Sequence, residues 1–183
     1  MSSLRLLTEQ QVTSSVTTIN ITDVFTADFD AYKVIFSGKK ANITGTGNAL
    51  TYMRGINESG SILTASNYWY TGAYLKSNDT FGLATIIGQN AAQLILLGGV
   101  SNDESEESVM YVTDPYSTSR PTFFLNESVG TIHDGSGNPH LRANYSLGAL
   151  KSNDRVTGLN FFDSSTDEID SGVIRIFGMR VDT

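Results

Sequence analysis

The amino-acid sequence predicts an all-β protein, an antiparallel β-sandwich of jelly-roll-like type, on three observations. Ser, Thr and Gly account for 21, 20 and 17 of the 183 residues, and the abundance of Thr, Tyr, Phe, Val and Ile favours strands. Short segments alternate apolar and polar residues, with turns rich in Gly, Asn and Asp between them. No stretch keeps a helical period over three turns. About nine to eleven short strands follow, a number typical of a sandwich or a jelly roll.

The strongest strand signal is the segment Tyr32–Ser37, which ends at Gly38. Tyr32, Val34 and Phe36 fall on one face of this strand, and the residues between them fall on the other. Because both faces carry apolar residues, we expect a central strand of a layered β structure.

The other strands are predicted from the same composition and alternation. The clearest alternation lies in residues 141–147, which indicates a half-buried antiparallel strand. Phe25 and Phe29 precede the central strand and are predicted to fill the core. Further strands are predicted for residues 15–21, 49–55, 80–87, 93–97, 109–113, 122–125, 156–162 and 173–181.

One domain suffices for a chain of 183 residues, since a domain of this size buries roughly 70% of its unfolded surface. We predict an N-terminal extended arm or edge strand over residues 1–12 and a single β-sandwich over residues 13–183. The long last strand, 173–181, is expected to pair with an early strand and to bring the two ends of the chain together.

Charge and composition exclude several classes of protein. The net charge of -7 and the pI of about 4.7 disfavour binding to nucleic acid. Cysteine is absent, which removes disulfides, thiolate metal sites and a Cys nucleophile. The N-terminus has no signal-peptide pattern, and the apolar stretch Leu94–Val100 is too short to cross a bilayer. We expect a protein that folds in a cytoplasm and does not enter a membrane.

Side chains for catalysis or metal binding are few, and we predict no enzyme, metal or cofactor. His133 and His140 share one loop, but their spacing matches no zinc pattern, and no Gly-x-Ser-x-Gly motif is present. Two acidic clusters lack EF-hand spacing and are interpreted as solvated loops. The clusters comprise Asp103, Glu104, Glu106 and Glu107, and then Asp163, Asp167, Glu168 and Asp170.

An aromatic patch, Tyr68, Trp69, Tyr70 and Tyr74, has two alternative interpretations. The rings could stack on sugars, or they could lie in a core or a subunit interface, where Tyr and Trp are enriched. We favour the second. Asn-x-Ser/Thr occurs at six positions and is attributed to composition: Asn20, Asn42, Asn57, Asn78, Asn126 and Asn144.

Four segments together resemble a pattern of small virion proteins of tailed bacteriophages, including marine ones. The segments are Val16–Ile21, Phe29–Gly38, Leu50–Arg54 and Asn67–Tyr70. Phe29 stands where the pattern has Tyr, and the resemblance covers about the first 75 residues. It implies a jelly-roll-like structural component, such as a capsid decoration (cement) protein or a tail or fibre-attachment protein, and it implies no catalytic residues.

From this resemblance we expect a non-enzymatic virion protein, assembled in the host cytoplasm, that clamps capsid subunits as a homotrimer. The expected partners are copies of itself and the major capsid protein or other virion proteins. The candidate contact residues are Leu4, Leu6, Leu7, Tyr68, Trp69, Tyr70 and Tyr74. The alternative is a carbohydrate-binding module, at the tip of a tail fibre, that holds a cell-surface glycan with Trp69 and its neighbouring tyrosines.

Overall fold

The structure, a computed structural model, describes residues 3–43, 48–77, 86–101, 104–133, 137–163 and 167–180. All regular structure in these ranges is β-strand, and the strands form two antiparallel sheets. The predicted all-β antiparallel sandwich is therefore confirmed. In chain order the strands are β1 (Ser3–Val12), β2 (Ile19–Ile21), β3 (Ala31–Asn42), β4 (Ala49–Asn57), β5 (Tyr68–Lys76), β6 (Ile86–Ala91), β7 (Leu94–Val100), β8 (Glu106–Thr113), β9 (Thr122–His133), β10 (Pro139–Leu150), β11 (Val156–Asp163) and β12 (Glu168–Arg180).

The strand order follows jelly-roll connectivity. The larger sheet has the order β1-β12-β3-β8-β9-β10-β5-β6, and the smaller sheet has the order β2-β11-β4-β7. The chain crosses between the sheets at every connection except β5–β6, β8–β9 and β9–β10. Without the hairpins β5–β6 and β9–β10, the remaining eight strands wind as a double-sheet jelly roll. The hairpins β5–β6 and β9–β10 are additions, and both extend the larger sheet on the β8 side.

The predicted central strand is β3, which pairs with β12 on one side and β8 on the other. Tyr32, Val34 and Phe36 point toward the smaller sheet and are buried, because strand residues alternate between two faces. The ring of Phe36 meets the ring of Phe161 from β11 edge-on, with 6.0 Å between the centroids. This contact joins the two sheets at the centre of the core.

The segment before β3 closes one end of the core, as predicted for Phe25 and Phe29. Phe25 is buried and its ring centroid lies 4.5 Å from that of Tyr32, while Phe29 is partly buried with its centroid 5.8 Å from Tyr32. The Tyr32 hydroxyl donates to the carbonyl oxygen of Thr26 and accepts from its backbone N–H, each at 2.7 Å. Burial raises the pKa of Tyr32, so this pair of hydrogen bonds stays intact at ordinary pH.

The two ends of the chain pair, as predicted for the last strand. β1 pairs only with β12 among the described strands, with Ser3 opposite Arg180 and Val12 opposite Gly172. Residues 3–12 therefore form an edge strand of the larger sheet and not a detached arm. Part of the predicted strand at residues 80–87 lies outside the described residues, and β6 begins at Ile86. None of the described segments is a helix of a length and hydrophobicity that could span a membrane.

Gly158 gives a test of the packing between β11 and β2. A Cβ atom at this position would overlap the carbonyl oxygen of Ile21 and lie 3.0 Å from Cα of Thr22, and neither backbone atom can rotate away. We expect Gly158→Ala to lower the free energy of unfolding by about 3 kcal/mol, measured by urea unfolding.

Gly38→Ala is the matched control, because a Cβ at Gly38 meets no atom within 4 Å and only the left-handed φ of 61° opposes it. We expect a loss of about 1 kcal/mol there. Equal losses at the two positions would contradict the packing described for β2.

Candidate interaction surface

The surface of the larger sheet that faces away from the smaller sheet is strongly apolar, and we call it the outer face. Ten large apolar or aromatic side chains are exposed among the described residues, and nine of them lie on the outer face. Ile62 is the exception. The nine are Leu4, Leu6, Trp69, Leu75, Phe123, Val129, Leu141, Tyr145 and Leu147.

The register of the strands makes this surface continuous. Directly opposed residues of antiparallel strands point to the same face. Leu147 of β10 lies opposite Leu125 of β9 and Thr71 of β5, and Phe123 lies opposite Ala149, which in turn lies opposite Trp69. Exposed apolar surface of this extent on a single face is typical of a site that binds another molecule.

The centre of the outer face is concave. A depression of about 610 Å³ crosses strands β3, β8, β9, β10 and β5, and its volume is within the range of ligand-binding clefts. Apolar side chains dominate its lining, and Glu107 and Glu127 supply negative charge. The Glu107 carboxylate accepts a hydrogen bond of 2.7 Å from the backbone N–H of Gly38. The outward side chains that line it are Ile35, Ala73, Leu75, Glu107, Val109, Glu127, Val129, Ala143 and Tyr145.

The four aromatic residues predicted as one contact patch all lie on β5. They do not form one surface, because successive residues of a strand point to opposite faces. Tyr68 is fully buried, and its hydroxyl donates to Leu63 O at 3.0 Å and accepts from Gly55 N at 2.8 Å. Burial raises the pKa of Tyr68 to about 12. Tyr68 thus belongs to the core, and a surface role for it is excluded by its position.

The remaining aromatic residues of β5 divide between the two faces. Tyr70 and Tyr74 are on the inner side, where the Arg142 guanidinium lies 4.3 Å from the Tyr74 ring centroid. Trp69 is on the outer face and is 39% exposed. The Lys151 ammonium lies 3.6 Å from its ring centroid, so one face of the indole ring is covered by a cation.

The predicted N-terminal contact residues also differ among themselves. Leu4 and Leu6 are on the outer face and are 54% and 50% exposed. Leu7 alternates with them, so it lies on the other side of β1 and packs partly against the core. Leu4 and Leu6 are therefore the two N-terminal residues that a partner could reach.

The two histidines lie at the ends of neighbouring strands, His133 at the end of β9 and His140 near the start of β10. Ser101 Oγ accepts from the backbone N–H of His133 at 2.7 Å and donates to Asn48 Oδ1 at 2.6 Å. His133 Nε2 lies 3.9 Å from Glu104 Oε1, and His140 lies on β10 opposite Ile132. The serine is therefore held by structural hydrogen bonds.

The two acidic clusters are divided by the strands that carry them. Glu106 points into the protein while Glu107 points out, and Asp163 is buried while Asp170 accepts from Ser15 Oγ at 2.8 Å. Asp103 lies outside the described residues. Within the described part of the chain, no three His, Asp or Glu side chains are placed to hold a metal ion.

Sequence reasoning missed a buried ionic cluster between the sheets, formed by Lys39, Glu106 and Asp163. Lys39 Nζ lies 2.9 Å from Asp163 Oδ1 and 3.9 Å from Glu106 Oε2. All three side chains are at most 4% exposed. The signal in the sequence is Gly38, which has a φ of 61° and lies at a register shift between β3 and β8. This irregularity reverses the alternation of β3, so that Lys39 turns inward.

Burial is the main cause of the altered titration of this cluster. It raises the pKa of Glu106 and of Asp163, and the positive charge of Lys39 opposes the change at both groups. The ion pair between Lys39 and Asp163 connects β3 of the larger sheet with β11 of the smaller sheet. It therefore adds an ionic contact to the apolar packing between the sheets.

Two of the six Asn-x-Ser/Thr positions are unsuitable for glycans. Asn126 and Asn144 are at most 5% exposed on the inner side of the larger sheet, and Asn144 Nδ2 donates to Ser128 Oγ at 3.1 Å. Asn78 lies outside the described residues. Burial at two sites agrees with the interpretation of the motif as a consequence of composition.

Comparisons with known proteins leave this chain without an assigned family. No family model matches it, and no curated protein matches it significantly. Among solved structures, it is similar to one described as the structure of the CBM2 module of Lactobacillus casei BL23 phage J-1 evolved Dit. The two share 10% identity over 91% of this chain and 70% of that chain, with a TM-score of 0.27. A TM-score this low supports no functional conclusion.

The buried cluster predicts a pH dependence of stability that Glu106→Gln should reduce. Because the pKa of Glu106 is raised in the folded protein, its contribution to stability is complete below the ordinary value of 4.5 and is lost as pH rises through the raised value. We expect the variant to gain stability relative to the wild type between pH 4.5 and 8.

Urea unfolding across this pH range measures the difference between the two proteins. Glu127→Gln removes the charge of an exposed carboxylate and serves as the control. If the Glu106→Gln difference were independent of pH, the buried cluster would not titrate with folding as described.

Proposed function

We propose that this chain is a non-enzymatic structural protein of a phage virion, a capsid decoration protein that binds other proteins through its outer face. The observation that carries the proposal is the concentration of nine exposed apolar side chains on one side of one sheet. Burial of such side chains contributes roughly 25 cal/mol per Å², which is the driving force of most protein association.

The size of the surface agrees with a specific protein interface. The concave region spans four inter-strand spacings, about 19 Å, and the apolar part of β10 is about 27 Å long. These two lengths give a projected apolar area of roughly 500 Å². The exposed side chains of β1 add to this area. A standard interface takes about 800 Å² of accessible surface from each partner.

The resemblance of residues 16–70 to small virion proteins of tailed phages supports the virion assignment. The proposed partners are further copies of this chain, as a homotrimer, and the major capsid protein or another virion protein. Leu4, Leu6 and Trp69 are the sequence-predicted contact residues that the proposal retains. Attachment stabilises a shell because a protein that binds only the assembled state shifts the equilibrium toward that state.

The direct test is electron cryo-microscopy of purified particles that contain this chain. We expect density for the twelve-stranded sandwich on the particle, with the outer face against a neighbouring subunit. A particle without this density, or with the outer face in solvent, would contradict the proposal.

Two substitutions on the outer face test the surface itself. Phe123 and Leu147 are 50% and 43% exposed, so Phe123→Asp with Leu147→Asp should leave folding intact while placing two charges in an apolar interface. We expect association, measured by sedimentation and by co-purification with particles, to weaken at least about tenfold, since the desolvation of each charge opposes binding.

Ser14→Asp with Thr17→Asp is the matched control, because it adds the same charge at exposed positions off the larger sheet. Equal effects of the two double variants would indicate general charge repulsion and would count against the outer face.

A second candidate function is carbohydrate binding. It is favoured by the positions of Trp69 and Tyr145, two exposed aromatic side chains on the outer face, because sugar rings stack on aromatic faces. Glu127 beside Tyr145 could accept hydrogen bonds from sugar hydroxyls. The Lys151 ammonium covers one face of the Trp69 ring.

Glycan-array binding by the wild type and by Trp69→Ala separates the two functions. For a decoration protein we expect no glycan signal from either protein. A signal that Trp69→Ala abolishes and Phe123→Ala retains would support the carbohydrate-binding function, provided that attachment to particles is unchanged.

A further inference from the structure

Lys39, Glu106 and Asp163 come together from three strands at one point between the sheets. Lys39 of β3 lies directly opposite Glu106 of β8, and Asp163 reaches them from the end of β11 in the smaller sheet. Lys39 Nζ lies 2.9 Å from Asp163 Oδ1 and 3.9 Å from Glu106 Oε2. An amine and two carboxyl groups are therefore held in contact where the three side chains are at most 4% exposed.

The polar atoms of this cluster lack the hydrogen bonds that buried groups usually have. Lys39 Nζ, Glu106 Oε2 and both carboxylate oxygens of Asp163 have no hydrogen bond of good geometry within the protein. Buried polar groups are almost always hydrogen-bonded, and a buried ion pair without such bonds does not recover the cost of its desolvation. A change that removed the charges of Lys39 and Asp163 would also remove this cost.

The surroundings favour the uncharged forms of the two acids. Burial raises the pKa of Glu106 and of Asp163, and the charge of Lys39 opposes the change at both groups. Asp163 raises and Arg142 lowers the pKa of Glu106, while Asp167 raises that of Asp163. A carboxyl group that holds a proton can be attacked by a neighbouring amine, because its hydroxyl oxygen can leave as water.

We infer that Lys39 and Asp163 join in an intramolecular amide, an isopeptide bond that links the two sheets covalently. Lys39 Nζ attacks Asp163 Cγ, so an N–C bond forms and one C–O bond breaks. The departing oxygen leaves as water with two of the three hydrogens of the ammonium group, and the third stays on the amide nitrogen. Glu106 takes a proton from Nζ and returns it to the departing oxygen, so Glu106 itself is unchanged at the end.

The fixed contact between the reacting groups favours this reaction. Free amines and carboxylic acids do not condense in water, but groups held in position reach effective molarities of roughly 10⁵–10⁸ M. A cavity of about 10 Å³ lies beside Lys39, Thr51 and Glu106, which is close to the smallest volume that holds one water. The released water therefore has a place next to the bond, while burial keeps bulk water from hydrolysing the amide.

This inference concerns the interior of the protein and does not depend on what the outer face binds. The bond adds a contribution to stability that does not change with pH. It also removes the positive charge that lowers the pKa of Glu106. The pH dependence expected above for Glu106→Gln therefore keeps its direction.

The mass of the intact chain tests the inference. Condensation removes one water, so we expect the purified wild-type protein to be about 18 Da lighter than its sequence requires. After proteolysis, the fragment that contains Lys39 should be joined to the fragment that contains Asp163. Tandem mass spectrometry should place the link on these two side chains.

Lys39→Arg keeps the positive charge but has no amine to attack the carboxyl group, so we expect this variant to have its full mass. Lys33→Arg is the matched control. Lys33 lies on the same strand, but its ammonium lies over the Tyr111 ring and not beside a buried acid. We expect the control to keep the loss of one water.

Glu106→Gln tests the proton transfer. Loss of general acid–base assistance slows a reaction by roughly 10²–10⁴-fold. We therefore expect freshly made variant to have its full mass and to lose water at least about a hundredfold more slowly than the wild type. Circular dichroism will show whether the variants are folded, and the measurements on the wild type need no variant.

A folded wild-type protein of full mass would overturn the inference and leave Lys39 and Asp163 as an ion pair. A loss of one water that persists in Lys39→Arg, or a link at other residues, would overturn it as well. Equal rates in the wild type and Glu106→Gln would overturn the role of Glu106.

Discussion

The two-residue period of the strands is the constraint on which this molecule depends. This period determines which side chains are buried in the core and which are exposed on the surface. Glu106 and Glu107 are neighbours in β8, yet one is buried beside Lys39 and the other lines the concavity. Tyr68 and Trp69 divide in the same way on β5. A shift of one residue in either strand would exchange the buried and exposed members of each pair.

The sequence was sufficient for the fold class and for the main strands, because alternation and turn chemistry are local properties. The segment Tyr32–Ser37 kept its predicted central place, and the last strand paired with an early one as expected. The jelly-roll order of the strands follows from long-range pairing, for which a single sequence carries little information. The pairing between the added hairpins is an example. β10 pairs with β5, and no local pattern in the sequence predicts that pairing.

The candidate site was harder to predict, for two physical reasons. Strands with apolar residues on both faces do not reveal which face turns inward, so the outward position of Leu147 and Phe123 could not be derived from their composition. Backbone irregularities also change the phase of alternation. Gly38 turns Lys39 toward the interior, and the bulge between Leu6 and Thr8 turns Thr8 toward the inner side. The aromatic residues of β5 divide between the core and the outer face, because consecutive residues of a strand point to opposite sides.

The pairing of the first strand with the last has a consequence for the order of events during synthesis. β1 has no neighbour in its sheet, within the described structure, until β12 has been translated more than 150 residues later. Contacts of such long sequence separation form late in folding. The sheet edge that carries Leu4 and Leu6 is therefore completed only after β12 has been synthesised.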